Sequence, residues 1–276
     1  MLHFDAIVED MDPMTKALLR AARPMVRRRY RAYRTYAPRL ERFQISTHQP
    51  ATQTALLQCY KARNAAYDVL HAAIQRAFAQ AGQTYCPYCG LNDAGSIDHY
   101  LPQGQFPELA VCHWNLILAC MDCNTRFKRA KWHEAGKRLY LHPYFDNIDE
   151  TRAYLHAAID IRNDVPTVQY SVVMPLGGDP EFFNHYERHC HGLKLFKRFA
   201  HEARRKLDDM RTDLQELTPN DSLQALQRKL DNMATKRSRK RGANHWEVAL
   251  LRAVASSPAV IQWCLGYAPS RPAGRS

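Results

Sequence analysis

Apolar residues recur every three or four positions at Leu56, Tyr60, Tyr67, Leu70, Ile74 and Phe78, which predicts one amphipathic helix over 52–81. Gly82 is placed to stop it. Phe196, Ala200, Ala203, Leu207, Met210, Leu214 and Leu217 alternate steps of four and three, and predict a second long helix over 196–217 that the TPND sequence breaks. Three heptads is the lower limit for a coiled coil, so packing against the chain's own core is the expected use of that stripe. Residues 154–161 (YLHAAIDI) and 168–174 (VQYSVVM) read as two strands around an RNDVPT turn. Beyond 217 a shorter helix, the basic run KRSRKR (236–241) and a last helix near 245–256 are expected. The tail PSRPAGRS is expected to be loose. Residues 16–42 are also helical in pattern, with Pro24 and Pro38 expected to kink or break the helix.

Charge changes the picture of that N-terminal segment. The 276-residue chain has 39 Lys and Arg against 27 Asp and Glu, a formal net charge of +12. Residues 16–42 hold ten of the basic groups and one acid, Glu41, a net +9. Such an excess favours an anionic partner. Within RRRYRAYRTY (27–36), Arg27, Arg28, Arg29, Arg31 and Arg34 are candidate phosphate contacts, with Lys128 further along. Tyr30, Tyr33 and Tyr36, spaced by three, are expected to pack inward rather than stack on bases. KRSRKR is a second candidate contact or a solvated loop. No apolar run approaches the length of a membrane span, and the acidic start MLHFDAIVEDMD lacks a secretory pattern. Eight cysteines are too few for a disulfide scaffold, so a reducing cytoplasm is the expected location.

Four of those cysteines form two pairs, Cys86-Pro-Tyr-Cys89 and Cys120-Met-Asp-Cys123, separated by thirty residues. Each pair is a knuckle that aims two thiolates at one ion, and together they predict a closed, structural four-cysteine zinc site. Between them lie Ser96-Ile97-Asp98-His99-Tyr100-Leu101-Pro102 and Asn115-Leu116-Ile117-Leu118-Ala119-Cys120, and Asn124 follows the last cysteine. On an extended strand Asp98 and His99 point to opposite faces.

The order C-x2-C, D-H-x-x-P, N-L-x-x-x-C-x-x-C-N resembles the HNH endonuclease motif in its four-cysteine form, over roughly residues 83–130. A weaker likeness at His142-Pro143-Tyr144-Phe145-Asp146 is similar to stretches in HNH effectors of bacterial anti-phage defence, Septu-type systems among them. The resemblance implies a ββα-metal finger. It implies His99 as the general base, Asp98 and Asn124 as ligands of a catalytic Mg²⁺ or Mn²⁺, and Asn115 as the residue that fixes the loop and keeps His99 aimed. Asn124 stands where the motif's name has His; an amide oxygen is an acceptable ligand for a hard ion. The family often has Lys four residues after the last cysteine, and here that place is Phe127.

The expected fold is therefore α+β and mostly helical. A basic helical region (1–82) precedes a zinc-held finger (83–147), and a β-hairpin with a helical region (148–276) follows. The expected function is metal-dependent hydrolysis of DNA phosphodiester bonds in anti-phage defence. The alternatives are a nuclease effector gated by a partner such as an ATPase, a non-catalytic zinc-finger scaffold that binds nucleic acid, and an RNA or tRNA nuclease. His113 is expected beside the site or on the surface, and His142 is a candidate for approaching it. His189-Cys190-His191 cannot share a helix face. Cys59, Cys112, Cys190 and Cys264 are expected to be buried thiols.

Overall fold

The basic segment folds as helix, and two features of its first turn explain where it starts. The Asp12 carboxylate accepts from the backbone N–H groups of Met14 and Thr15, and Pro13 occupies the first turn, where no N–H is needed. In the computed structural model, which describes residues 1–146, 151–217 and 221–266, this helix is α2 (Pro13–Tyr36). It continues through Pro24, so that proline does not end it. The helix changes at Tyr36 into a 3₁₀ segment, Ala37–Arg42, that contains Pro38. Leu19, Val26, Tyr30 and Tyr33 line its buried face.

A short helix that the apolar pattern did not reveal, α1 (Leu2–Glu9), precedes it. Asp5 grips Arg23 through two 2.7 Å hydrogen bonds, and Glu9 pairs with Arg20 at 2.9 Å. Part of the positive charge of α2 is thus offset within the chain.

The single helix expected over 52–81 is two helices, α3 (Pro50–Lys61) and α4 (Ala65–Gln80). Arg63 takes a left-handed backbone conformation (φ 49°) and Asn64 caps α4 by accepting from Tyr67 N–H. The apolar period runs across the break, which hid it. A local asparagine cap competes with helix continuation there.

Strands β1 (Ser96–His99) and β2 (Leu116–Ala119) pair antiparallel, with Asp98 opposite Ile117 and His99 opposite Leu116. A short, wide π-type helix, Asp122–Lys128, follows β2. Two further short strands, β3 (His133–Glu134) and β4 (Lys137–Arg138), form a small hairpin. The helical N-terminal region and the cysteine-rich segment belong to one compact unit, Met1–Asn147.

The second unit, Ile148–Ser276, is built separately. Its strands β5 (Leu155–Arg162) and β6 (Val165–Val172) pair antiparallel through a two-residue turn. Asn163 and Asp164 both take positive φ (50° and 62°), the pattern of the tight hairpin turn whose twist matches the strands. The strands therefore extend closer to the turn than RNDVPT suggested. Helices α5 (Pro180–Gly192), α6 (Leu195–Leu217), α7 (Leu223–Arg241), α8 (Trp246–Ala255) and α9 (Pro258–Cys264) complete the described part. Leu195, Phe199, Ala203, Leu207 and Met210 of α6 are buried, and α6 packs on β6 and α9 of its own unit. KRSRKR is not a loop: it is the C-terminal end of α7, where cations suit the helix dipole and Arg237 pairs with Glu247 at 3.3 Å. Residues 218–220 of the TPND break and the tail PSRPAGRS lie outside the described residues. Overall the chain is mixed α+β and mostly helical. Among the described residues no helix is long and apolar enough to cross a membrane.

Candidate active site and metal centre

Each cysteine pair forms a tight turn. Gly90 N–H and Cys89 N–H both reach the Cys86 carbonyl, at 2.8 and 3.2 Å, and Gly90 supplies the positive φ (63°) that this turn requires. Backbone N–H groups of Leu91 and Cys123 point at the sulfurs of Cys89 and Cys120, at 3.5 and 3.4 Å. The Sγ atoms of Cys86, Cys89, Cys120 and Cys123 lie within 4.8 Å of one another, all in buried residues. The Cys89 and Cys120 sulfurs are 3.9 Å apart. A tetrahedral zinc with bonds of about 2.3 Å has sulfurs about 3.8 Å apart, so the cluster is compatible with structural zinc. Four buried thiols this close share protons among themselves unless a cation lets them ionise. Among the described residues no other group of three or more His, Cys, Asp or Glu converges in this way.

The hairpin β1–β2 runs from this cluster to His99. Asp98 and His99 are successive strand residues and meet different surroundings. The Asp98 carboxylate accepts from Tyr88 OH at 2.7 Å and from Lys128 Nζ, 3.1 Å from Oδ1 and 3.0 Å from Oδ2. Lys128 Nζ also donates to the His99 carbonyl at 2.8 Å. Asp98 is 2% exposed and Lys128 0%. Burial lowers the Lys128 pKa, opposed by the adjoining carboxylate.

Lys128 is therefore not a surface cation for DNA, as the sequence reading had it, but the internal counter-ion of Asp98. The π-type helix explains how it arrives there. Arg129 N–H bonds to Asn124 O, five residues back, at 3.0 Å. The wider turn absorbs one extra residue. It turns Lys128, five after Cys123, inward where Phe127 stands in the expected register.

His99 faces the other way. Its Nε2 lies 2.9 Å from the Ala110 carbonyl. A carbonyl only accepts, so Nε2 carries the proton and Nδ1 of the neutral ring keeps a lone pair. Burial lowers the His99 pKa to about 4, with the Ala110 bond opposing. The ring is neutral at pH 7. Tyr60 of α3 caps it edge to face, with centroids 4.5 Å apart.

Asn115 ties the loop that orients this histidine. Its Oδ1 accepts from Leu101 N–H at 2.8 Å, and its Nδ2 donates to the carbonyls of Leu101 and Leu109, at 3.0 and 3.4 Å. Leu109 precedes Ala110, so one buried amide joins the segment after His99 to the carbonyl that holds its ring. Glu108 anchors the same loop, accepting from Arg29 at 2.7 Å and pairing with His48 at 3.0 Å.

A divalent ion at Asp98 does not fit this arrangement. Both carboxylate oxygens have donors, and Lys128 already holds the cation's place. Asn124 is turned to the start of the strand, its Nδ2 donating to Ser96 Oγ and the Ile97 carbonyl at 3.2 and 3.1 Å.

The arginines divide. Arg27, Arg28, Arg31 and Arg34 are exposed. Arg29 is not a free phosphate contact: it is bound to Glu108 and lies over the Phe43 ring at 3.8 Å. Arg34 covers Trp114 at 4.7 Å. Tyr30 and Tyr33 are buried, whereas Tyr36 is exposed.

His142 is buried and is bonded at both ring nitrogens. Its Nδ1 accepts from Tyr144 N–H at 3.2 Å, so its Nε2 donates to Tyr33 OH at 2.9 Å. The HPYFD stretch is further held by a pair of bonds between Asp146 and Arg138, at 3.0 and 2.8 Å. His113 is half-buried beside Trp114. His189 and Cys190 are buried while His191 is exposed, and Cys59, Cys112, Cys190 and Cys264 are buried thiols.

The sequence does not mark Tyr88, Tyr60, Glu108 or Ala110 as site residues, and Tyr60 shows in it only as part of an apolar helix stripe. Only Tyr88, inside the first knuckle, carried a local signal.

No family model matches the chain, and no solved structure matches it. The chain is similar to protein ea31 of Escherichia phage lambda, 26% identical over 151 residues, which are 54% of this chain. It spans about half the length of that relative, 49%.

Proposed function

We propose that the chain is an HNH-type endonuclease that hydrolyses phosphodiester bonds of DNA, with a structural zinc on its four cysteines, in anti-phage defence. The observation that carries the reading is the histidine. His99 is neutral, held in one tautomer by Ala110, and sits on a hairpin bracketed by the two cysteine pairs. Nδ1 is then free to take a proton from water. The water oxygen attacks phosphorus, the bond to the 3′ oxygen breaks, and that oxygen is protonated from solvent. The products are a 5′-phosphate and a 3′-hydroxyl. Asn115 keeps the base aimed through Leu101 and Leu109. Exposed Arg27, Arg28, Arg31 and Arg34 supply the affinity for phosphates.

The family resemblance implies dependence on Mg²⁺ or Mn²⁺, but Asp98, closed by Lys128 and Tyr88, does not take such an ion in this arrangement. That closure favours one further reading, a nuclease effector opened by a partner subunit. Tyr60 over His99 and Lys128 on Asp98 are the contacts such a partner would have to release.

Plasmid cleavage by the zinc-loaded chain and its His99→Ala variant, with Mg²⁺, Mn²⁺ or EDTA, tests the proposal. Nicking or linearisation by the wild type, abolished in the variant, is the expected result. Undiminished cutting by purified His99→Ala would refute His99 as base. No cutting by the wild type with any ion would refute the autonomous reading and leave the gated effector and the non-catalytic scaffold. An RNA substrate run in competition separates the two nucleic acids.

A further inference from the structure

We infer that Arg63, at the corner between α3 and α4, is a phosphate-binding residue at the mouth of the His99 site. This rests on the nuclease reading only for the claim that the phosphate belongs to the cleaved strand.

Three observations converge. The first is position: Tyr60 lies against the His99 ring at 4.5 Å, and the Arg63 guanidinium lies over the Tyr60 ring at 5.2 Å. One aromatic ring therefore separates this cation from the proposed base.

The second is orientation. The guanidinium also lies over Tyr67, at 4.9 Å, and the two tyrosines pack edge to face at 5.3 Å. Two aromatic contacts fix a group that is mobile on an ordinary surface arginine. The two rings meet at 85°, so the guanidinium can lay its face on only one of them and turns an edge toward the other; its remaining N–H groups can match two oxygens of a phosphate. The residue is exposed, and among the described residues no carboxylate lies within ion-pair distance of it.

The third is the backbone. Arg63 has φ 49°, a conformation disfavoured for a side chain of this size. The tight corner it makes directs the residue between two aromatic rings instead of letting α3 continue into solvent. Arginines on α2 lie on a regular helix and bind phosphate as a diffuse surface; Arg63 is a single, oriented donor.

The test uses the full, zinc-loaded chain with Arg63→Gln and Arg63→Lys. Binding of a short fluorescein-labelled DNA duplex and of one of its strands is followed by anisotropy across a NaCl series. Arg63→Gln is expected to lower the slope of log affinity against log salt by about 0.9 on the duplex, or about 0.7 on the single strand. Where cleavage is measurable, KM is expected to rise about tenfold with kcat within twofold, the signature of a contact made equally in ground and transition states. Arg63→Lys should keep the salt slope and recover only part of KM, because it restores the charge without the fork. Thermal melting of both variants should stay within a few degrees of the wild type, since the side chain is exposed and loses only its two ring contacts.

An unchanged slope and KM in Arg63→Gln would overturn the inference. So would a loss of binding that follows a lowered melting temperature. If the wild type binds but never cuts, and the slope still falls in Arg63→Gln, the phosphate contact stands while the nuclease reading fails.

Discussion

Replacing Lys128 by Met separates an internal counter-ion from a DNA contact. Lys128 Nζ is 0% exposed in a residue that pairs with Asp98 at 3.0 Å and donates to the His99 carbonyl at 2.8 Å. Met fills much the same volume without charge. The variant leaves the Asp98 carboxylate, 2% exposed, with Tyr88 OH as its remaining side-chain donor among the described residues. Removing one partner of a buried ion pair costs about 3–5 kcal/mol. Domains are stable by only about 5–15 kcal/mol, so the loss is a large share of the total. The double variant Asp98→Asn with Lys128→Met removes both charges and is expected to lie within about 1–2 kcal/mol of wild type. Native-state hydrogen exchange of the 96–99 and 116–119 backbone in increasing urea reads this locally, without interference from the second unit. The salt dependence of DNA binding, measured where Lys128→Met remains folded, should match the wild type. A Lys128→Met variant of unchanged stability with a flatter salt slope would overturn the counter-ion role, because it would mean that the ammonium faces phosphate.

Acid should destabilise the first unit over a defined window. The His99 pKa falls from about 6.5 in the unfolded chain to about 4 in the folded one, so between those values the unfolded state binds more protons. His99 stability is complete above pH 6.5 and falls by up to about 3 kcal/mol as pH drops to 4; His142, also depressed by burial, acts in the same direction. Urea midpoints at pH 7.5 and 5 check this, and His99→Asn should reduce the difference. Removal of zinc by a strong chelator should melt the 86–123 segment and lower thermal stability, with one zinc per chain in atomic absorption; Cys120→Ser should do the same. Neutralising Arg27, Arg28 and Arg31 should flatten the salt slope of DNA binding by up to about 0.9 per contact. Arg29→Gln should leave the slope unchanged and cost about 1–3 kcal/mol in a urea melt, because it strips a donor from buried Glu108.

The readable parts of this protein are those whose partners lie close in sequence. The two cysteine pairs announce their cluster by spacing alone, because each knuckle is a local turn. The strands Leu155–Arg162 and Val165–Val172 are legible because their turn is two residues long. The helix over 52–81 was misread because a cap at Asn64 interrupts the backbone without disturbing the apolar period. Arg29 looked like its neighbours on α2, since its partner Glu108 is 79 residues away. The His142 bond to Tyr33 spans 109 residues and left no trace in either local segment. Lys128 reads as a phosphate contact because Phe127 holds the motif's lysine place; the turn from Asn124 to Arg129 is one residue wider than an α-helical turn and brings Lys128 inward instead.

Contacts within the first unit tie the proposed base to the four-cysteine cluster. β1 carries His99 at one end and is paired through Ser96 with Ala119, the residue before Cys120. Lys128 belongs to the short helix that also contains Cys123, and it bonds to both Asp98 and the His99 carbonyl. An ion on the four cysteines would fix both the end of β2 and the start of that helix. It would thereby fix the strand that presents His99 to the Ala110 carbonyl. The loop from Leu101 to Leu109 is held independently, by Asn115 and by Glu108 with Arg29. The tautomer of His99 thus depends on two separate supports meeting at one hydrogen bond. Loss of either support frees the ring from Ala110, which is why zinc removal and Asn115 substitution should converge on the same failure while leaving the α2 arginines able to bind phosphate.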